Sequence, residues 1–482
     1  MSAVRRLSRG ELAARESIAG ERLPYTHHVN DRVVALRDGS LLCCLRLRGF
    51  PFETADDAEL DYRHSVRATL LRSLGSSRFG LYAHVQRRRV APYPDGIFAD
   101  PFARALDEAW KRRVTSARLY VNDLTFSIIR RPLQGKIGKV DGLLRLVRDR
   151  ADEAAAALSF ERELRELEAA VDAALAVLEP YGAVPLTVYD GAAGTCSEPV
   201  EFLSSLYNGE LRAIALPRAD LGRHIPYKRV TFGDEAFELR GSATADTKVG
   251  AILSVKDYPS ETQTGLLDGL LRLPHELTIT QSFGFVDRTV AVERMKLSLR
   301  RLRSGSDEET RSLRADMEAA LDDVSYGRTG YGEHHLTVQL LADDPATLDD
   351  AIGEVSAAFS DFGAVAVRED VNLEPAFWAQ FPGNFKDIGR RALVSTDNFA
   401  SFASLHNFPT GCPDGNHWGP AVTMLETTSG TPYFFNFHRG DVGNFTLIGS
   451  TGLGKTVLAT FLIGQAQKFA PRTVYFDKDR GA

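Results

Sequence analysis

The stretch Asn444-Phe-Thr-Leu-Ile-Gly449-Ser-Thr-Gly-Leu-Gly454-Lys455-Thr456-Val-Leu-Ala-Thr-Phe461 decides how the chain is first understood. An apolar run that fits a buried strand ends at Gly449, a glycine-rich turn follows, and Lys455 opens a helical pattern reaching about Phe469. The spacing is G-x-x-x-x-G-K-[ST] in the strand–loop–helix context that this motif requires. Glycines let the backbone wrap a polyphosphate with its N–H groups pointing inward. A helix N-terminus adds partial positive charge. Lys455 can reach the β- and γ-phosphates, and the Thr456 hydroxyl can ligate Mg²⁺. The expected cofactors are ATP and Mg²⁺, held by Gly449, Ser450, Thr451, Gly452, Leu453, Gly454, Lys455 and Thr456.

Around this loop lie 482 residues, long enough for two to four domains. An apolar fraction of 44% and a charged fraction of 25% are those of an ordinary globular protein. A net charge of −6 gives no general pull toward nucleic acid or anionic lipid, so direct nucleic-acid binding is not expected. The four cysteines, Cys43, Cys44, Cys196 and Cys412, form no C-x-x-C pair and fit a reduced, cytoplasmic setting. The N-terminus lacks the apolar core of a signal peptide. No run of about 18 apolar residues exists, so any membrane association is expected to be peripheral.

Upstream, the spacing predicts an α/β and α+β multidomain chain. Residues 1–25 are charged and Ala-rich, a tail or one helix. Residues 26–135 predict a first α+β module, with a hairpin about Arg37-Asp-Gly-Ser40, strands at 78–86 and 118–129, and helices at 56–74 and 101–112. Its helices are expected on one face of a mainly antiparallel sheet. Residues 136–228 form a helical and mixed segment, and 229–370 a second α+β module whose strand–helix order echoes the first. That echo suggests two related ferredoxin-like modules. A helix is expected at 264–271 and a long charged helical stretch at 288–321, with a break at Ser304-Gly-Ser-Asp307. Residues 371–420, dense in aromatics, Gly, Pro and Asn, predict an ordered connector, and 421–482 the opening of a P-loop NTPase domain.

Four smaller clusters carry weaker chemistry. His406, Cys412 and His417 lie close in sequence but lack the spacing of a structural zinc site. The pairs His27-His28 and His334-His335 are expected at the surface or half-buried. Arg87-Arg-Arg89 fits a solvated strand end, with a lipid-headgroup or acidic-partner contact as the alternative.

Taken together, the chain resembles the type IV secretion and conjugal-transfer ATPases of the VirB/TrbE/CagE group. The matching pieces are Leu23-Pro-Tyr-Thr-His-His28, Trp378-Ala-Gln-Phe-Pro-Gly-Asn-Phe385, Ser404-Leu-His-Asn-Phe-Pro-Thr-Gly411, Asn416-His-Trp-Gly419, Thr431-Pro-Tyr-Phe-Phe-Asn-Phe-His438, the run from Gly443 through Thr456, and Val474-Tyr-Phe-Asp-Lys-Asp-Arg-Gly481. The resemblance implies an ATP-binding energiser that powers assembly or substrate transport. It implies a RecA-like motor, a hexamer in full-length form, and secretion-system partners on the cytoplasmic face of a bacterial inner membrane. The family's later carboxylates and motor motifs have no counterpart before Ala482. Asp477 ends an expected strand at 473–476 and could face the site or be a strand-end polar residue. Residues 1–482 alone are therefore expected not to turn over ATP, and a non-hydrolysing docking protein of the same machine is the alternative.

Overall fold

The computed structural model describes residues 18–132, 153–192, 194–243, 246–302, 308–450 and 452–476. The helical expectation over 140–152, the break at 304–307, Thr451 and Asp477 fall outside the described residues.

A single sheet of thirteen strands organises the molecule. In chain order these are β1 (Tyr25–His28), β2 (Val33–Leu36), β3 (Leu41–Leu47), β4 (Phe79–Val90), β5 (Leu119–Arg130), β6 (Val184–Pro185), β7 (Arg229–Phe232), β8 (Phe237–Arg240), β9 (Thr247–Asp257), β10 (Glu276–Val286), β11 (Tyr331–Ala342), β12 (Val365–Arg368) and β13 (Ala392–Ser395). The path runs β1-β2-β3-β5-β4-β10-β11-β9-β8-β7, with β6 on β3, β12 on β9 and β13 on β11.

Local signals place the elements much as the sequence implies. The β2–β3 hairpin pairs Val33 with Cys43 and Ala35 with Leu41. Its turn needs Gly39 at φ 82°, which glycine adopts without steric cost. Helix α1 (Asp57–Ser73) starts where Asp56 accepts from the Glu59 N–H. Helix α2 (Pro101–Ser116) starts where Asp100 accepts from Ala103, with proline in the first turn. Helices α3 (Glu153–Val177) and α4 (Glu198–Asn208) follow β5 and β6 respectively. Helices α5 (Arg288–Leu302) and α6 (Glu308–Ser325) lie between β10 and β11. Helix α7 (Pro345–Asp361) repeats the Asp-Pro start, Asp344 accepting from Thr347. The helix expected at 264–271 is instead a 3₁₀ turn at Asp268–Arg272, its approach carrying Gly265 at φ 87°.

The echo between the halves is topological. The first runs β3-α1-β4-α2-β5-α3-β6 and gives the order β6-β3-β5-β4. The second runs β9-3₁₀-β10-α5-α6-β11-α7-β12 and gives β12-β9-β11-β10. Every neighbouring pair within these orders is antiparallel. The halves join through their corresponding strands, β4 and β10, from Leu277↔Arg87 to Gly284↔Gly80.

Helices cover both faces of the sheet, and those on the second face come from outside residues 26–135. Cys43 and Leu45 point into a core with α1 and α3, built from residues such as Leu71, Leu167 and Val171. Leu42 and Cys44 point into a second core with α4 and α8 (Leu373–Ala379), built from Leu203, Tyr207, Phe377, Trp378 and Phe381. The segment expected as a connector thus supplies core residues, strand β13 and helix α9 (Thr396–Phe402).

Two-sided cover also explains the misplaced polar groups. His334 and His335 are 0% and 2% exposed, not at the surface, because β11 lies inside the sheet with both faces packed. Arg87 is likewise buried. Its guanidinium donates to Leu273 O, Asn122 Oδ1 and Ser429 O and lies over the Tyr120 ring. Arg88 pairs with Asp123, and only Arg89 of that triplet is exposed. His27 is exposed and His28 half-buried.

Candidate functional site

The hairpin β14 (Thr423–Glu426) and β15 (Pro432–Phe435) leads to the glycine-rich loop. Its turn is fixed to the N-terminal body, since Tyr120 N donates to Gly430 O at 2.9 Å. After the loop, helix α10 (Lys455–Ala466) continues as a 3₁₀ turn to Phe469, matching the expected extent. The expected strands at 444–449 and 473–476 are not formed. No described strand pairs with either segment, and Ile448 and Phe476 are 89% and 93% exposed. A parallel strand needs a neighbour to take its hydrogen bonds, and neither segment has one among the described residues.

The loop itself has the geometry its glycines allow. Gly452 and Gly454 take φ 87° and 80°, a region that side-chain-bearing residues rarely enter. Gly454 is the N-cap of α10 and no side chain caps it, so the first helical N–H groups face outward. The Lys455 ammonium folds back over the loop, donating to Gly449 O at 2.6 Å and Ser450 O at 2.9 Å. Thr456 lies exposed one residue into the helix. The structure thus brings Gly449, Ser450, Gly452, Leu453, Gly454, Lys455 and Thr456 into one exposed turn. An uncapped helix N-terminus beside a lysine is the kind of donor set that anions take.

What anchors the helix was missed from sequence. Phe461 meets Trp110 of α2 edge-on at 4.9 Å, and Trp110 Nε1 donates to Met424 O at 2.8 Å. Gly464 lies so close to α2 that a Cβ there would come within 2.9 Å of the Leu106 side chain. Lys468 Nζ donates to Pro94 O at 2.9 Å. A lone Trp in an amphipathic helix carries no sequence signal for a partner 350 residues on.

The weaker clusters do not assemble. His406 is buried, bonds Asp268 Oδ2 through Nδ1 at 2.7 Å and stacks on Phe52 at 4.7 Å. Cys412 is exposed, while His417 stacks on His438 at 4.3 Å. Among the described residues no helix is long and apolar enough to cross a membrane.

A large antiparallel sheet covered on both faces, with a glycine-lysine loop whose helix packs against α2, defines a mixed α/β protein. Residues 185–390 match the CagE, TrbE, VirB family, component of type IV transporter system. Residues 32–137 match the type IV secretion system ATPase VirB4/TrbE, N-terminal domain. The chain belongs to this VirB4/TrbE family. It is 38% identical over 469 residues to the type IV secretion system protein virB4 of Bartonella quintana, covering 97% of this chain and 59% of the relative. It is 32% identical to protein virB4 of Rhizobium radiobacter (95% and 58% covered) and to the Brucella suis virB4 protein (95% and 57%). The chain spans about three fifths of the length of these relatives.

Proposed function

We propose that the chain binds ATP with Mg²⁺ on the 449–456 loop and serves as the ATP-binding energiser of a bacterial type IV secretion or conjugal-transfer system. One observation carries this reading: Lys455 Nζ lies inside the turn on Gly449 O and Ser450 O, beside two glycines in left-handed conformation. Lys455 would exchange those carbonyls for β- and γ-phosphate oxygens, and the Thr456 hydroxyl would take one position on the metal ion. The bound nucleotide would supply the free energy for assembly or transport.

In the same reading, the halves with strand orders β6-β3-β5-β4 and β12-β9-β11-β10 are ferredoxin-like modules. They would hold a RecA-like motor against other secretion components, peripherally at the inner membrane, in a hexamer when the relative's full length is present. The names of the relatives support a place among secretion components.

Calorimetric titration with Mg·ATP tests the binding step. Lys455→Ala should weaken affinity at least about tenfold, since it removes a charge-assisted bond. Equal affinity in parent and variant would sink the assignment.

A further inference from the structure

We propose that the molecule has a second anion site, distinct from the loop: a pocket at the end of the β4–β10 seam that takes one small oxyanion, a carboxylate or a phosphate. The seam ends in two opposed glycines, Gly80 and Gly284. A Cβ on Gly80 would come within 2.5 Å of the Phe385 ring, and one on Gly284 within 3.1 Å of Arg131 Nη1. The missing side chains leave a slot, which the Arg131 guanidinium fills, 4.7 Å from the centre of the Phe385 ring. Beside it opens a cavity of about 480 Å³.

The charge count in that cavity does not close. Four cations line it, Arg131, Lys386, Arg294 and Arg391, against three carboxylates. Of the three only Glu333 is ion-paired, and the other two are held by neutral donors. Glu333 is held by Arg294 at 2.8 Å and Arg391 at 3.0 Å. Asp287 accepts from Ser77 N at 3.1 Å and Ser77 Oγ at 2.7 Å. Asp38 accepts from Ser40 N at 2.9 Å in the hairpin turn.

Arg131 donates through Nη2 to three carbonyls, Ser77 O, Phe79 O and Phe285 O, while its buried Nε has no partner. Neither Arg131 nor Lys386 has a carboxylate within ion-pair distance among the described residues. Three neutral carbonyls position a guanidinium but do not neutralise it. Arg131 is half-buried, and burial lowers its pKa to about 10 even though Glu333 and Asp38 act on it in the opposite sense from beyond ion-pair distance. A planar guanidinium with an ammonium at the rim is the donor set for a carboxylate or phosphate.

The test uses residues 1–482 carrying Lys455→Ala, so that the loop does not compete. Melting temperature is followed against sodium phosphate and sodium acetate, with sodium chloride at matched ionic strength. A saturable rise beyond chloride is expected with at least one probe, and which probe saturates tells phosphate from carboxylate. Val290 lines the cavity at its exposed rim, so Val290→Glu supplies a tethered carboxylate without touching Arg131. Val290→Glu and Lys386→Gln should each weaken the probe at least about tenfold. No rise beyond chloride, or an unchanged affinity in both variants, would overturn the second site.

Discussion

His334 sits among Tyr258, Phe399 and Phe402, ring centres 5.4 to 5.6 Å away, with both its nitrogens buried and unpartnered. Burial lowers its pKa to about 3, and that of His84 and His335 to about 4. All three are bases whose folded pKa lies below the unfolded value of about 6.5, so the native state binds fewer protons than the unfolded chain. Their contribution is intact above pH ~6.5 and is lost as the pH falls from there toward 4 and 3. Urea unfolding should therefore show stability dropping steeply between about pH 6.5 and 4. His334→Phe should recover about 2 kcal/mol at pH 5 relative to its own effect at pH 8. An equal effect at both pH values would mean the ring does not stay neutral. None of this was legible in the sequence, where an adjacent His-His pair fits an exposed strand as well as a buried one. The same holds for Arg87: a basic triplet does not say which of its members meets three buried acceptors.

Helix α10 shows how an element is held by what the sequence does not mark. Its first turn carries Val457 at 72% exposure, while one and two turns further along the same face Phe461 and Gly464 meet α2. Trp110→Ala removes the ring contact and the bond to Met424 O together. For a half-buried tryptophan, the cost should be about 2 kcal/mol, borne locally. Hydrogen exchange would speed up in α10 and the β14–β15 hairpin while β4 and β10 keep their protection. Unchanged exchange in α10 would show that α2 does not hold it. The loop and its helix were legible because phosphate chemistry imposes glycines and lysine at fixed spacing. Their flanking strands were not, because an apolar run specifies burial only where a neighbour exists to pair with it.

At the scale of the molecule, most strands and helices were readable from periodicity, and the order of elements already hinted at two similar halves. What could not be read is that β4 and β10, nearly 200 residues apart, zip the halves into one sheet. Pairing partners at that separation leave no local pattern, and a strand with helices over both faces loses the alternation that marks a half-exposed one. Thr280 illustrates the consequence, since it pairs with His84 on one side and Thr337 on the other. Thr280→Pro removes a ladder donor and should cost about 3 kcal/mol or more. The loss should register in both halves at once. If β9, β11 and β12 melt while β3 and β5 keep native protection, the halves are independent after all.

In the proposed function, this family member holds a nucleotide on its glycine-lysine loop. Hydrogen exchange of residues 1–482 with and without Mg·ATP addresses it most directly, because it reports where the ligand sits as well as whether it binds. Slowed exchange confined to residues 449–456 and the first turn of α10, absent in Lys455→Ala, is the predicted result. Protection elsewhere, or none at saturating nucleotide, would contradict the account.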